Sequence, residues 1–188
     1  MENELRSVRS GWSIAAGLIA WLIGILTPAI AFDVELSIKS DAGTQYRAYF
    51  QIMATVLFIF TWRWAQRSSN WLLGLILAIS AALFVIYGVI KDEWTCTYLD
   101  SANYIIGSEL RPNAAAIFET RDLVSRPCID QLAPFGGDAA LVWVEQELFV
   151  RFLSLFGLYS AAWFSLALVV ICAAKRAGEG MIQDGQKK

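Results

Sequence analysis

KDEWTCTYLDSANYIIGSELRPNAAAIFETRDLVSRPCIDQLAPFGGDAALVWVEQE, residues 91–147, is the only long polar segment in a chain otherwise built of apolar runs. It carries ten acidic residues and two of the three cysteines, Cys96 and Cys128. On either side the chain turns apolar at once. Asn70–Ile90 before it is free of charge, and Leu141–Ala174, overlapping its end, is broken only by Glu145, Glu147 and Arg151. Runs of roughly 20 residues match what an α-helix needs to cross about 30 Å of hydrocarbon. A soluble domain of this length would interrupt such runs with polar residues every few positions.

Outward from this centre, two more apolar runs appear. Trp12–Phe32 has no charge, and Ala48–Ala65 holds Gln51 inside and Arg63 near its end. Trp62, Trp64 and Trp71 cluster around Arg63 and Arg67, the pattern of an interfacial aromatic belt with snorkelling cations. The link Gln66–Asn70 is short enough to make the helices on its two sides antiparallel neighbours. The pattern predicts an all-α polytopic membrane protein with four transmembrane helices and a disulfide-stapled extracytoplasmic loop. Its parts are an N-terminal segment 1–11, helices one to three with short loops over 12–90, the external segment 91–147, helix four over 148–174, and a polar tail 175–188. The tail reads as disordered or partner-dependent. A competing reading of the start is a signal peptide: Arg6 and Arg9 precede the apolar run, and Ala29-Ile30-Ala31 has the form of a cleavage site. The length of that run and the acids Glu2 and Glu4 favour retention.

Lysines and arginines near the span ends set the orientation. Arg6, Arg9, Arg63, Arg67, Lys175 and Arg176 fall on one side, which makes both termini cytoplasmic in a bacterial-type inner membrane. Thirteen of the 17 acidic residues lie in the two opposite loops, Asp33–Arg47 and 91–147. Cys96 and Cys128 then face an oxidising compartment, and Cys172 lies at the cytoplasmic end of helix four. A bond between the loop cysteines closes about 33 residues, for which the chain-entropy model gives roughly 3–4 kcal/mol. A passive staple is the leading reading of that pair, and a redox-active pair is the other. Within the loop, Pro112–Ser125 reads as a short helix, with Pro127 ending it. Gly136-Gly137-Asp138 supplies a breaker and an N-cap for the long helix from Leu141. Glu147 and Arg151 stand at i,i+4 spacing and can pair, whereas Glu145 and Glu147 point to different faces and cannot form a carboxylate dyad.

Composition excludes several chemistries. The chain has no histidine, which removes bis-histidine haem, histidine metal sites and Ser–His or Cys–His pairs. A net charge of −2 with no basic stripe gives no footing for nucleic acid. Phosphate loops, dinucleotide fingerprints and nucleophile elbows are absent. No catalytic residues, cofactor or metal are expected. Three stripes of small residues at four-residue spacing suit close helix packing: Ala16, Ala20 and Gly24; Gly74, Ala78 and Ala82; Gly157, Ala161 and Ser165.

Four helices, internal termini and a cysteine pair in the second outer loop resemble the DsbB family of membrane oxidoreductases, which pass electrons from a disulfide catalyst to quinone. The resemblance covers topology, Cys96 and Cys128, and Arg47, which stands where that family places a quinone-contacting arginine. The family's C-x-x-C pair in the first outer loop has no counterpart in Asp33–Arg47, so the thiol relay to quinone lacks its second half. The reading carried forward is a non-enzymatic inner-membrane subunit of a multiprotein membrane complex, structural or sensory. Its setting would be secretion or conjugation, immunity or exclusion, or phage defence. The expected partners are the lipid bilayer and other membrane-protein subunits or further copies of the chain. An oligomeric pore and a thiol–quinone redox protein are the alternatives.

Overall fold

The computed structural model describes Ile19, residues 32–35, Ile52, 55–56, 69–98 and 102–186. The small-residue stripe Ala16, Ala20 and Gly24, most of the first two apolar runs, and Arg47 lie outside these residues; Ile19, Ile52, Thr55 and Val56 are helical. The described elements are β1 (Val34–Glu35), α1 (Asn70–Trp94), β2 (Thr95–Tyr98), β3 (Ala102–Ile105), α2 (Pro112–Arg121), α3 (Cys128–Leu132), a 3-10 turn (Ala133–Phe135), α4 (Ala139–Val142) and α5 (Glu145–Gln186). The protein is mostly helical and has a Cys96–Cys128 disulfide, as the sequence predicts.

Among the described residues, Ile19, Ile52, 55–56, 69–84 and 159–186 form one compact unit, and 32–35, 85–98 and 102–158 form a second. In the first, the Ser80 hydroxyl donates to the Ala162 carbonyl at 2.9 Å, both residues being buried. Phe84 meets Trp163 edge-on at 5.4 Å and Tyr159 at 6.3 Å. A small hydroxyl and flat rings let the two helix backbones approach while satisfying a polar group away from water.

Two helices are long and apolar enough to cross a membrane, Trp71–Trp94 and Glu145–Val170. Only 11% of the apolar window of the first is buried. Leu73, Ser80 and Tyr87 turn inward on α1, at a seven-residue spacing (about two turns) that keeps them on one helix face. Trp71, Leu75, Leu77, Ile79, Val85, Ile86 and Val89 are exposed around the rest of its circumference. This is the reverse of a soluble core helix, which hides such residues.

The second unit holds the polar segment, and here the structure adds what helix-centred patterning did not announce. A three-stranded sheet in the order β1-β3-β2 joins the link after the first apolar run to the polar segment. β1 runs parallel to β3, with Val34 opposite Asn103; β2 is antiparallel, with Cys96 opposite Tyr104 and Thr97 opposite Asn103. Thr95-Cys96-Thr97-Tyr98 and Asn103-Tyr104-Ile105 are rich in β-branched and aromatic residues, the types that fit a pleated surface. The sheet buries Val34, Tyr104 and Ile105. Phe32, leading into β1, packs edge-on against Phe152 at 5.8 Å and Phe156 at 5.0 Å.

Several predicted boundaries move. α2 begins at Pro112 as expected but ends at Arg121, where Asp122 takes a left-handed conformation (φ 50°) and caps the helix on the Phe118 carbonyl. Pro127, expected to stop α2, instead precedes α3. Asp138 does act as an N-cap, its carboxylate accepting from the Ala140 N–H at 3.1 Å, but it caps the four-residue α4. The long helix starts at Glu145, not Leu141, because Trp143 is drawn into extended pairing with Leu110. The Val144 N–H donates to the Glu109 carbonyl and the Arg111 N–H to the Val142 carbonyl. At the other end α5 continues to Gln186, so the tail is helical for most of its length. Lys175 and Arg176 favour helix, and each added residue gains a backbone hydrogen bond once the helix is nucleated.

Candidate functional site

Two clusters of described polar side chains stand out in the second unit. The first ties the start of β1 to the end of α1. The Lys91 ammonium donates to both Asp33 carboxylate oxygens, at 2.9 and 2.7 Å. Asn103 donates to the same carboxylate at 2.9 Å, and the Thr97 hydroxyl donates to the Asn103 side-chain oxygen at 2.8 Å. Asp33 is half-exposed, so the ion pair itself contributes less than about 1 kcal/mol. Its value is positional: one carboxylate gathers a helix end and two strands.

The second cluster is tighter and centres on Glu147. Its carboxylate accepts from the Ser108 N–H at 2.9 and 3.0 Å, the Ser108 hydroxyl at 2.7 Å and the Glu109 N–H at 3.0 Å. Arg151, one turn further along α5, pairs with it at 2.6 Å, as the i,i+4 spacing predicts. The charge-free part of α5 begins after Arg151, so both residues stand between the polar segment and that apolar stretch. Burial opposes ionisation of Glu147, but the Glu109 N–H, the Ser108 hydroxyl and N–H, and the Arg151 charge outweigh it. Together they hold its carboxyl below the ordinary value of 4.5.

Arg151 has two further partners. It donates to the Ile106 carbonyl at 2.9 Å, and its guanidinium lies 5.2 Å from the centre of the Trp94 ring. The Ile106 N–H in turn donates to the Trp94 carbonyl at 2.9 Å. The last residue of α1, the loop after β3 and the first two turns of α5 therefore meet at one point. Gly107 makes this possible: a Cβ there would lie 2.7 Å from the Trp143 Cβ and 2.8 Å from a Glu147 carboxylate oxygen. Nothing larger than a hydrogen fits between the loop and α5.

Glu145 goes elsewhere, pairing with Arg111 at 3.3 Å. The two glutamates serve different partners and do not form a dyad. Cys96 and Cys128 form a disulfide with sulfurs 2.10 Å apart, linking β2 to α3; both residues are half-buried. Cys172 is buried and takes no part in the disulfide. Gly74, Ala78 and Ala82 are exposed on α1, and a Cβ at Gly74 would meet nothing within 4 Å. Gly157 is equally open; Ala161 is exposed and Ser165 half-buried. The first stripe is thus exposed, whereas Gly157 and Ser165 of the second are half-buried. Within the same residues, no group of acidic or cysteine side chains could hold a metal ion.

The residues missed by sequence reading are Ile106, Gly107 and Ser108. The Glu147–Arg151 spacing was legible. Its targets were not, because they are backbone groups about 40 residues away. No family model, curated protein or solved structure matches the chain.

Proposed function

We propose that this chain is a non-enzymatic integral inner-membrane subunit of a multiprotein membrane complex, with a structural or sensory role. Four helices cross the bilayer, both termini are cytoplasmic, and residues 91–147 form an external cap. The supporting observation is the open face of α1. Gly74, Ala78 and Ala82 lie exposed among Trp71, Leu75, Leu77, Ile79 and Val85. In water each large apolar side chain left uncovered forgoes about 1.5–3 kcal/mol of burial; in hydrocarbon that penalty vanishes. The groove of small residues lets another helix approach closely, gaining dispersion contacts that lipid tails fill less well. The cap fits a contact or sensing role, since Glu147, Arg151, Asp33 and Lys91 are all engaged in holding its own architecture.

The test is gentle detergent extraction from the native host, followed by the mass and composition of what copurifies. A stoichiometric partner, lost or weakened in Gly74→Leu on a native gel, supports the reading. A lone monomer, with unchanged migration of Gly74→Leu, defeats it. A homo-oligomer that conducts ions in liposomes would replace it with a pore.

A further inference from the structure

We propose that the Cys96–Cys128 disulfide is a redox-sensitive switch whose state is read by α1 and α5 at the Trp94–Ile106–Arg151–Glu147 junction. This deepens the sensory reading above by naming the stimulus, a dithiol reductant reaching the cap.

Three observations carry it. First, the bond is reachable, because both cysteines are half-buried rather than sealed in the core. Second, the cap does not depend on the bond for a core. Ala114, Phe118, Leu123, Leu132, Ala139 and Val142 are buried there, and Phe118 packs on Phe135 at 6.3 Å. Opening the bond therefore leaves a folded cap with one constraint removed, which separates a switch from a staple. Third, the constraint acts next to the junction. Cys96 follows Trp94 by two residues and pairs with Tyr104, two residues before Ile106. The Trp94 carbonyl holds the Ile106 N–H, while Arg151 holds the Ile106 carbonyl and lies over the Trp94 ring. β2 is an edge strand of four residues, so α3, joined to it by the disulfide, is its lateral support. Releasing α3 loosens β2, and the first groups to register that are Trp94 and Ile106.

The chemistry balances as an ordinary exchange. A thiolate of the dithiol attacks one sulfur of the bond and expels the other as a thiolate, giving a mixed disulfide. The donor's second thiolate then displaces the protein sulfur. Two electrons pass to the protein: the donor ends as a disulfide, and Cys96 and Cys128 end as two thiols carrying the two protons.

The experiment uses the full chain in lipid nanodiscs, with dithiothreitol as the dithiol and hydrogen exchange as the readout. Reduction should raise exchange about tenfold or more at Ile106, Ser108 and Glu109, whose N–H groups bond Trp94 and Glu147. Exchange over 112–121 should stay unchanged, and reoxidation should restore the original rates. Cys96→Ser with Cys128→Ser should reproduce the reduced pattern without dithiothreitol. In the parent, reduction should also raise exchange over 145–152; in Arg151→Gln, reduction should still loosen β2 while that response over 145–152 disappears. Unchanged exchange at 106–109 would make the bond a passive tie and overturn the proposal. Loss of protection across 112–121 as well would make it a staple for the whole cap, which also overturns it. So would a bond that dithiothreitol cannot open in the folded protein. None of these results depends on a copurifying partner, so failure here and failure of the subunit reading remain distinct.

Discussion

Gly107→Ala is the smallest change that should break the junction, and its cost follows from three distances. The added methyl would sit 2.7 Å from the Trp143 Cβ, 2.9 Å from its Cγ and 2.8 Å from a Glu147 oxygen. Trp143 is buried and its Cβ is fixed to the backbone, so it cannot rotate away. The loop must therefore retreat from α5. Overpacking alone costs about 1–3 kcal/mol. If the retreat also breaks one hydrogen bond to the Glu147 carboxylate, the loss rises by roughly 1.5–3 kcal/mol. With that bond lost we expect a total of about 2.5–6 kcal/mol, read as a lower midpoint of cap unfolding in denaturant with an unchanged slope. Gly74→Ala is the control. A methyl there meets nothing within 4 Å, and replacing glycine within a helix gains up to about 1 kcal/mol. A Gly107→Ala protein within about 0.5 kcal/mol of the parent would refute the argument, because it would mean the loop and α5 are not in tight contact.

The Glu147 site also sets a pH dependence. Its carboxyl is held below 4.5 in the fold, so its contribution to stability is fully present above that value. It is lost as pH falls through the lower folded value. Glu147→Gln should be less stable than the parent at neutral pH, and the gap should narrow on acidification; a constant gap from pH 7 to 3 in denaturant titrations would contradict this. Ser80→Ala removes the donor that bonds the Ala162 carbonyl between α1 and α5. Interhelical hydrogen bonds of this kind are worth about 0.6 kcal/mol on average, so unfolding in mixed micelles should show a loss of that order and no more than about 1.7 kcal/mol.

Local pattern carried much of the architecture. The charge-free run before residue 91 became α1, the apolar run after 147 became most of α5, and Pro112 marked a helix start where expected, while Asp138 caps the short α4 rather than the long helix. These features are encoded by neighbours within one or two turns, so reading along the chain finds them. The disulfide was legible because only two cysteines share the polar segment. The sheet was not. β1 has two residues and pairs with a strand nearly 70 positions later, and such short, distant pairing leaves little periodic trace.

The sequence by itself determined the two helices long and apolar enough to cross a membrane, the place of the polar segment and the pairing of its loop cysteines. Those depend on hydropathy, length and residue count, which need no partner in space. Tertiary structure decided where the charges act. Arg151 could have paired with Glu147 and gone no further. Instead the fold brings it against the Ile106 carbonyl and the Trp94 ring, and brings Glu147 against the Ser108 and Glu109 amides. Backbone donors and acceptors look the same at every residue, so only the closed chain reveals which of them a side chain will meet. Gly107 has the same physical basis: its missing side chain matters only because Trp143 and Glu147 arrive there from the far side of the cap.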